Sequence, residues 1–582
     1  MEFRVASCRT LLLTAVAITA AATASGQTSS FTVTTTPGQQ TRGARLGAPE
    51  MRLSLQDAVA IALGHNIDLE ISRLGLAQSG QGVLAATGIF DPYATVSLTE
   101  ASSKSPATNQ LVGAQVNDQK RRTFNVGFGQ FLPTGANVSV GWDNTRSETN
   151  SSFYYLNPSY TAGLNLSLDQ PLLRGFGTDV TRRAIEVARR NRDISTIQFE
   201  QIVIATVQQV ESSYWNLVYA KENLKVKQES LKLAQDLLDQ TRTRVRIGTS
   251  APIDIIQSEA TVAAREQDII VAENAVQGAA DALKQLLGFE NPEDWKSEII
   301  PVDSLGVTPV TVDLDQAIEQ ALKTRIELKQ QELQKQIGEL NLVAADNAVK
   351  PGLDLVVGYG YSGVGGTLTE RDPNTGAIIR QVPGGWNDAL RQITNVDYPQ
   401  WSAGLNLSYT FGNNQAKAQR ATSRFAVGIA EQNIAAQRQA VINATRAAVR
   451  GLADSAKAIA ASEKARVLAE RNLDAEQKKF ANGMSTNYQV LQIQADLAVA
   501  LVNELAARVS YRQAAVAYQV AVGNLLKSKG VELDVAPPPK EPHTYWKDVG
   551  WMKYGRWAKD AGTVSEPPSE TKPAGPATSG TE

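Results

Sequence analysis

Short segments in which apolar and small polar residues alternate strictly recur in two regions of the chain. The first region contains four of them, at residues 94–98, 124–128, 138–142 and 164–168. The second region contains three, at residues 353–355, 357–361 and 405–409. Because successive side chains of a strand point to opposite faces, this pattern predicts β-strands over residues 93–173 and 353–411, with one apolar face and one face of Gly, Ser, Thr and Asn.

Two long stretches without proline predict long helices at residues 179–247 and 415–482. Both are rich in Ala, Gln, Glu, Arg and Leu, which are good helix formers. At a rise of about 1.5 Å per residue such helices extend about 100 Å, well beyond an ordinary globular domain. They are therefore expected to pack against the return helices that follow, as two helical hairpins over residues 179–289 and 415–528.

The predicted hairpins turn at two short segments of similar chemistry, Gly248-Thr249-Ser250 and Gly483-Met484-Ser485. A glycine at the end of a helix readily adopts the left-handed conformation that terminates it. The serine two positions later is predicted to cap the next helix, and Pro252 suits the first turn of the helix that follows.

The chain also repeats itself. A segment that begins at Leu55 reappears at Leu314, each time as the start of a short amphipathic helix, predicted near residues 55–86 and 314–349. The glycines at 177, 248 and 288 recur at 412, 483 and 523, a constant offset of 235 residues. This pattern predicts two homologous repeats, residues 51–290 and 311–533, joined by a linker at 291–310.

The two ends of the chain differ from the repeats in composition. Arg4 and Arg9 precede an apolar run at 11–22 and an Ala-Thr-Ala site, which predicts a signal peptide at residues 1–24. Residues 25–50 are interpreted as a flexible segment. Residues 534–582 form a Pro-rich tail that is predicted to be largely disordered, with an aromatic stretch near Trp546 that could pack on the repeats.

Composition excludes several classes of function. Of the 582 residues 42% are hydrophobic and 20% charged, and the net charge of −2 lacks the basic excess of a general nucleic-acid binder. The chain has one cysteine, Cys8, and two isolated histidines, His65 and His543. No disulfide framework, catalytic residue, cofactor-binding site or metal site is therefore expected, and we predict that the protein is not an enzyme.

The alternating segments have two interpretations. A soluble sheet also alternates, and a secreted coiled-coil scaffold or adhesin without a pore is the alternative function. No stretch reaches the roughly 18 uninterrupted apolar residues of a membrane helix. The small polar face, however, suits a water-filled lumen, and Trp142, Trp401 and Tyr359 could lie at the membrane interfaces. Four to six strands are too few to close a pore, so the barrel would be shared between subunits.

The order of these elements resembles that of the TolC-like outer membrane efflux proteins. The segments that carry the resemblance are Leu-Asp-Gln-Pro-Leu-Leu-Arg-Gly at 168–175, Leu-Ser-Tyr-Thr-Phe-Gly at 407–412, and the two turns with the residues after them, 246–257 and 481–492. The resemblance covers about residues 53–533. No single motif is very specific, whereas the duplicated order and the equal spacing of the glycines are.

The resemblance implies a mixed α and β membrane protein. Three copies would form a 12-stranded transmembrane β-barrel, with four strands from each, continuous with a long periplasmic α-helical barrel. The extra alternation at 121–145 would be either an additional hairpin or a longer extracellular loop. This homotrimer would lie in the lipid bilayer of the outer membrane and serve as the exit duct of a tripartite efflux or type I secretion system.

The resemblance also implies partners and site residues. A periplasmic adaptor (membrane fusion) protein and an inner-membrane pump of the RND or ABC type would supply substrate and energy. The residues expected to contact the adaptor are Gly248, Thr249, Ser250, Gly483, Met484 and Ser485. Asp254 would restrain the closed state at the periplasmic constriction. Gln489 and Gln492 occupy positions where the best-known members carry carboxylates, so cation binding at this entrance is not expected.

Overall fold

The computed structural model describes residues 32–35, 50–107, 115–151, 153–308, 310–372 and 377–534. The predicted signal peptide at 1–24 and the tail at 535–582 lie outside the described residues, as does most of the segment at 25–50. The described chain forms two compact units. A helical unit contains Ile185–Leu342, the segment before Leu84 and the segment after Lys417, whereas the sheet unit contains Leu84–Ala184 and Val343–Lys417.

The elements follow one another in a similar order in the two parts of the chain. The first part contains β1 (Thr32–Thr35), β2 (Glu50–Leu53), α1 (Leu55–His65), α2 (Ile67–Thr87), β3 (Tyr93–Pro106), β4 (Val116–Phe131), β5 (Asn137–Thr149), β6 (Leu156–Pro171), α3 (Thr178–Thr181), α4 (Arg183–Arg246), α5 (Ile253–Leu286) and β7 (Glu298–Pro301). The second part contains α6 (Leu314–Thr324), α7 (Ile326–Ala348), β8 (Gly352–Arg371), β9 (Ile378–Val382), α8 (Trp386–Thr394), β10 (Pro399–Ser408), α9 (Asn414–Ala481), α10 (Asn487–Ala521), α11 (Leu525–Ser528) and β11 (Val531–Asp534).

The main core of the helical unit surrounds the middle of α4. Tyr214 and Leu217 are fully buried there among residues of α1, β2, α5 and α10. The Tyr214 hydroxyl donates to the Asp303 carboxylate (2.7 Å), and burial together with this carboxylate raises the pKa of the tyrosine. The parallel pair β2–β7 crosses the same core, with Met51 opposite Ile299. The N-terminal segment and the segment after α5 are thereby fixed to the long helix.

The short helices predicted as continuous at 55–86 and 314–349 are each divided in two, which corrects that prediction. The first break is at Asn66, whose backbone is extended and whose side chain accepts from the Leu69 N–H (3.1 Å) and donates to the Leu286 carbonyl (3.0 Å). The second break is at Arg325, whose guanidinium donates to the Val520 carbonyl (3.0 Å). In both places a polar side chain at the break donates a hydrogen bond to a backbone carbonyl near the end of a return helix.

A single antiparallel sheet forms the second unit, in the order β10-β8-β6-β5-β4-β3, with the short β9 paired to β8. Six long strands lie on one path in this sheet, two more than the four strands per subunit that the resemblance implies. The additional strands are β4 and β5, which stand between β3 and β6. They are joined by a tight turn at Gly135, which has φ of +95°.

The long helices begin and end near their predicted limits. α4 starts at Arg183 rather than at 179, because Gly177 has φ of +103° and a separate short helix, α3, follows it. α9 runs from Asn414 to Ala481, close to the prediction of 415–482.

One helix in the described residues, α10, is long and apolar enough to cross a membrane, with a mean hydropathy of 1.3 over its most apolar window. Its composition has another physical cause. Val490, Leu491 and Leu497 pack against Leu237 of α4 and Leu473 of α9. α10 therefore has the apolar content of a helix that is packed between others.

Candidate functional sites: a two-faced sheet and two hairpin tips

The sheet has one continuous apolar face. One row of paired residues across all six strands is Ala94, Phe128, Val140, Leu166, Tyr359 and Trp401. The next row on the same face is Val96, Val126, Trp142, Leu164, Tyr361 and Pro399. Many side chains on this face are exposed, including Trp401 and, in the following row, Leu98, each at 77%. An apolar surface of this extent requires an apolar environment.

The height of the apolar face matches that of a membrane. On β8 it extends from Leu353 to Gly363, a distance of ten residue steps or about 33 Å along the strand. With the tilt of about 40° usual in membrane barrels, this corresponds to a band of about 25 Å. Beyond it, farther along the strands, follows a row with the charged residues Glu100, Arg122 and Arg146. The apolar band therefore ends at a polar boundary on its outer side.

The opposite face is covered by small polar residues. Ser139 and Ser167 share a hydrogen bond across two strands (2.6 Å), and Asn165 donates to Asp143 (3.1 Å). Gly358 and Gly360 lie on the same face, where the polar side chains of Ser402 and Asn165 occupy the space beside them. These residues suit contact with water, as in the lumen of a channel.

α8 lies on the apolar face at its outer end, a feature that the sequence analysis missed. The helix approaches so closely that a Cβ at Gly363 would lie 2.0 Å from the Ala389 carbonyl oxygen. The Trp386 indole N–H donates to Asn144 Oδ1 (3.0 Å). Beside it lies a cavity of about 480 Å³, whose lining includes Phe124 and Arg146. In the sequence the signal for this contact is the pair of glycines at 363 and 365 on β8, because glycine in a strand often marks a close approach of another backbone.

The first hairpin tip ends α4 as predicted. Gly248 has φ of +80°, its N–H donates to the Val245 carbonyl (3.0 Å), and the Thr249 N–H donates to the Arg244 carbonyl (2.9 Å). Ser250 does not cap the next helix, which corrects the prediction. Pro252 holds the position before α5 begins, and no side chain caps that helix.

The second tip has the same backbone but a different cap. Gly483 has φ of +73°, and the exposed Met484 donates its N–H to the Lys479 carbonyl (2.9 Å). The cap of α10 is Thr486, whose hydroxyl accepts from the Gln489 N–H (3.2 Å), and not Ser485 as predicted. The Ser485 hydroxyl instead donates to Glu476 (2.5 Å). A serine that binds the preceding helix in this way is not available for the next one.

The hydrogen bond from Ser485 and the neighbouring Lys479 ammonium hold the pKa of the Glu476 carboxyl below its usual value. A lowered pKa stabilises the folded tip above the ordinary glutamate pKa, and this stabilisation is lost as the pH falls through the lowered value. We expect Ser485→Ala to speed hydrogen–deuterium exchange around the second tip at pH 7, and the difference from the unmodified protein to shrink as the pH falls below the ordinary glutamate pKa. Ser250→Ala is the matched control, because a threonine, Thr241, stands nine positions before it. Equal exchange in Ser485→Ala and the unmodified protein at pH 7 would contradict the assignment.

The two tips lie side by side and are joined by buried polar groups that the sequence did not reveal. Asn487 is 3% exposed, accepts from the Thr241 hydroxyl (3.1 Å) and donates to Ser258 Oγ (2.9 Å) and to the Asp254 carbonyl (3.2 Å). One amide thus connects α4, α5 and α10. Arg244 adds a second link, because it donates to the Ala481 carbonyl (3.3 Å) and its guanidinium lies 4.1 Å from the centre of the Phe480 ring.

The structure places the constriction candidates on the first turns after the tips. Asp254 lies in the first turn of α5, where its backbone carbonyl, not its carboxylate, accepts from Asn487. Gln489 and Gln492 are exposed on α10, and Gln492 donates to Asp496 one turn further on (3.2 Å). Across the described ranges, no three His, Cys, Asp or Glu side chains converge as metal ligands.

Comparison with known proteins gives the family. The sequence model of the family described as outer membrane efflux protein matches residues 60–289 and 317–524. The outer membrane protein TolC of Vibrio cholerae is 23% identical over 412 residues, which are 68% of this chain and 88% of that protein. TolC of Escherichia coli is 24% identical over 431 residues, 72% of this chain and 78% of that protein.

Solved structures share the fold. The CmeC outer membrane channel of Campylobacter jejuni superposes with a TM-score of 0.57 at 15% identity, covering 82% of this chain and 89% of CmeC. The MtrE outer membrane channel of Neisseria gonorrhoeae does so with a TM-score of 0.55 at 16% identity, covering 85% and 96%. These matches show the mixed α and β fold. The protein therefore belongs to the outer membrane efflux protein family, as a TolC-like exit channel of the outer membrane.

Proposed function

We propose that three copies of this chain form a passive duct, which opens to the exterior through the sheets and to the periplasm at the hairpin tips. The observation that carries this proposal is the two-faced sheet, apolar over the height of a membrane on one side and small and polar on the other. Six strands cannot enclose a pore that is wide enough for solutes, so several copies must contribute. The duct itself would be passive, and the energy for transport would come from the partner pump.

Purification and conductance test this proposal. The protein should require detergent for extraction from outer membranes, form particles with three-fold symmetry, and conduct ions across a planar bilayer. Recovery without detergent, as a particle that does not conduct, would contradict it and restore the coiled-coil scaffold.

We also propose that the two repeats are structurally equivalent, as residues 51–290 and 311–533, with the linker at 291–310. Support comes from the paired features of the two parts: the breaks at Asn66 and Arg325 each bind the end of a return helix. Gly288 and Gly523, which follow those helices, both have positive φ and are both tightly packed against the residue before the break.

The hairpin tips are proposed to dock on a periplasmic adaptor protein, through Gly248, Thr249, Ser250, Gly483, Met484 and Ser485. Support comes from Met484, which is 70% exposed at the end of a hairpin and therefore offers an apolar contact. Whether the inner-membrane pump is of the RND or ABC type would decide between efflux of small molecules and type I secretion. We expect Met484→Lys to abolish efflux without lowering the amount of protein in the membrane. Leu468→Lys, at an exposed position of α9, is the control.

At the proposed periplasmic constriction, Asp254, Gln489 and Gln492 would line the entrance. Since two of these three side chains are uncharged amides, we expect the channel to be little affected by divalent cations. Exchanging both, as Gln489→Glu with Gln492→Glu, should create a ring of carboxylates in the trimer and make millimolar Ca²⁺ block the current from the periplasmic side. Gln320→Glu on α6 is the control. Equal block of the current by Ca²⁺ in the unmodified protein and the double variant would show that these residues do not line the entrance.

A further inference from the structure

The sheet ends in two long edge strands, β3 and β10, whose outer edges pair with no other described strand. Every residue of both strands is exposed. Soluble proteins protect such edges with charges or prolines, yet 94–99 and 400–408 contain neither. In a bilayer each unpaired N–H or C=O costs several kcal/mol, because no water is present to replace the missing partner. These edges therefore require a strand from another chain.

The two edges are complementary in direction. β3 leads away from the helix before it, β10 leads back to the helix after it, and every pairing between them in the sheet is antiparallel. We propose that β10 of one copy pairs antiparallel with β3 of the next, an inference that rests on the proposed trimer. All six long strands enter the wall, so the channel is an 18-stranded barrel instead of the 12-stranded one that the resemblance implies.

The stagger of the strands supports closure of all six. In the row from Ala94 to Trp401, Ala94 is the second residue of β3, whereas Trp401 stands seven positions before Ser408, the end of β10 nearest the helices. From β3 to β10 the row therefore shifts by six residues along the strands, measured from these strand ends, while it crosses five inter-strand steps. At about 3.3 Å per residue and about 4.8 Å per step, this climb is a strand tilt of about 40°, which is the usual tilt of a closed membrane barrel.

Alignment of the β3 end that follows α2 with the β10 end that precedes α9 predicts the register between copies. Ala94 is the second residue of β3 and Leu407 the last but one of β10, so this alignment places Ala94 opposite Leu407 of the next copy, Val96 opposite Leu405, and Leu98 opposite Ala403. The apolar face is then continuous around the barrel. On the other face, Ser97 comes opposite Gly404, which keeps that side small and polar.

The additional strands widen the exit. Barrel diameter grows roughly linearly with strand number, so 18 strands at this tilt give about 36 Å between opposite strand axes, against about 24 Å for 12. The cross-section is then about twice as large. The consequence is an outer opening that passes solutes too bulky for a 12-stranded barrel, wherever the helical part admits them.

Cysteine cross-linking tests the edge pairing, and the background is favourable because the only cysteine, Cys8, lies in the predicted signal peptide. Ser97→Cys combined with Gly404→Cys should give covalent trimers on oxidation in outer membranes. Ser97→Cys with Ser139→Cys is the control, because β3 and β5 are not neighbours, and it should give no cross-link. Cross-linked products no larger than a covalent dimer would overturn the inference, since two chains would close only 12 strands.

Lipid contact tests the strand number. A fluorophore at Phe128→Cys or Val140→Cys, on the apolar face of β4 and β5, should be quenched by spin-labelled lipid in vesicles. A fluorophore at Ser139→Cys, on the other face, should be quenched by aqueous iodide. If the β4–β5 hairpin stands outside the membrane, lipid will quench neither apolar position and the inference is overturned. Conductance of the same preparations separates the outcomes: current without lipid quenching rejects the 18-stranded barrel and keeps the duct.

Discussion

Gly288→Ala is expected to prevent the protein from assembling, whereas Gly248→Ala should leave it intact. Both glycines follow a long helix and have nearly the same backbone conformation, with φ of +76° and +80°. A Cβ at Gly288 would lie 2.1 Å from the His65 carbonyl oxygen, while a Cβ at Gly248 would meet no atom within 4 Å. Left-handed strain alone costs about 1–2 kcal/mol, and the collision with a backbone atom adds about 1–3 kcal/mol.

The measurement is the yield of folded protein in outer membranes and its midpoint of thermal unfolding in detergent. Gly523→Ala should resemble Gly288→Ala, because its Cβ would lie 2.6 Å from the Thr324 hydroxyl oxygen, although that side chain can move more easily than a backbone atom. Equal midpoints for Gly288→Ala and Gly248→Ala would show that the contact between α1 and the end of α5 does not hold the helical unit together.

Asn487→Leu should separate the two hairpin tips and make the channel leak. The amide is the shared partner of Thr241, Ser258 and the Asp254 carbonyl, and its bonds to the first two are buried. Leucine has a similar volume but no polar atom, so buried groups on two other helices lose a partner at a total cost of about 2–4 kcal/mol. Because the tips are the ends of long hairpins, weakening this link should let them move apart.

Outer-membrane permeability to a bulky antibiotic and hydrogen–deuterium exchange at the tips would show this effect. Both should rise in Asn487→Leu and remain unchanged in Asn482→Leu, because Asn482 is exposed and its side chain donates to the Lys478 carbonyl at the end of α9, on the same hairpin. Thr241→Val should give a smaller change in the same direction. Unchanged exchange in Asn487→Leu would mean that Arg244 and the surrounding apolar contacts are sufficient to hold the tips.

The elements that could be predicted were those whose signal is local. Alternation at 94–98 or 405–409 predicted strands, because the period of a strand is a property of consecutive residues. The glycines at the tips predicted helix ends, because the left-handed conformation is a property of one residue. The prediction that Ser485 caps the next helix was wrong for a related reason. Ser485 has two possible partners, and its position near Glu476 depends on how the chain folds back.

The sequence by itself determined the class of protein. The alternating period, the long proline-free helices and the duplicated spacing are sufficient for the mixed α and β fold and for the resemblance to efflux channels, because each is set by order along the chain. Tertiary structure alone decided which strands are neighbours, and hence that β4 and β5 extend the sheet to six long strands. It also decided that Asn487 joins two hairpins and that α8 lies on the glycines of β8. These features depend on contacts between residues far apart in sequence, and neither periodicity nor composition records which distant groups will meet.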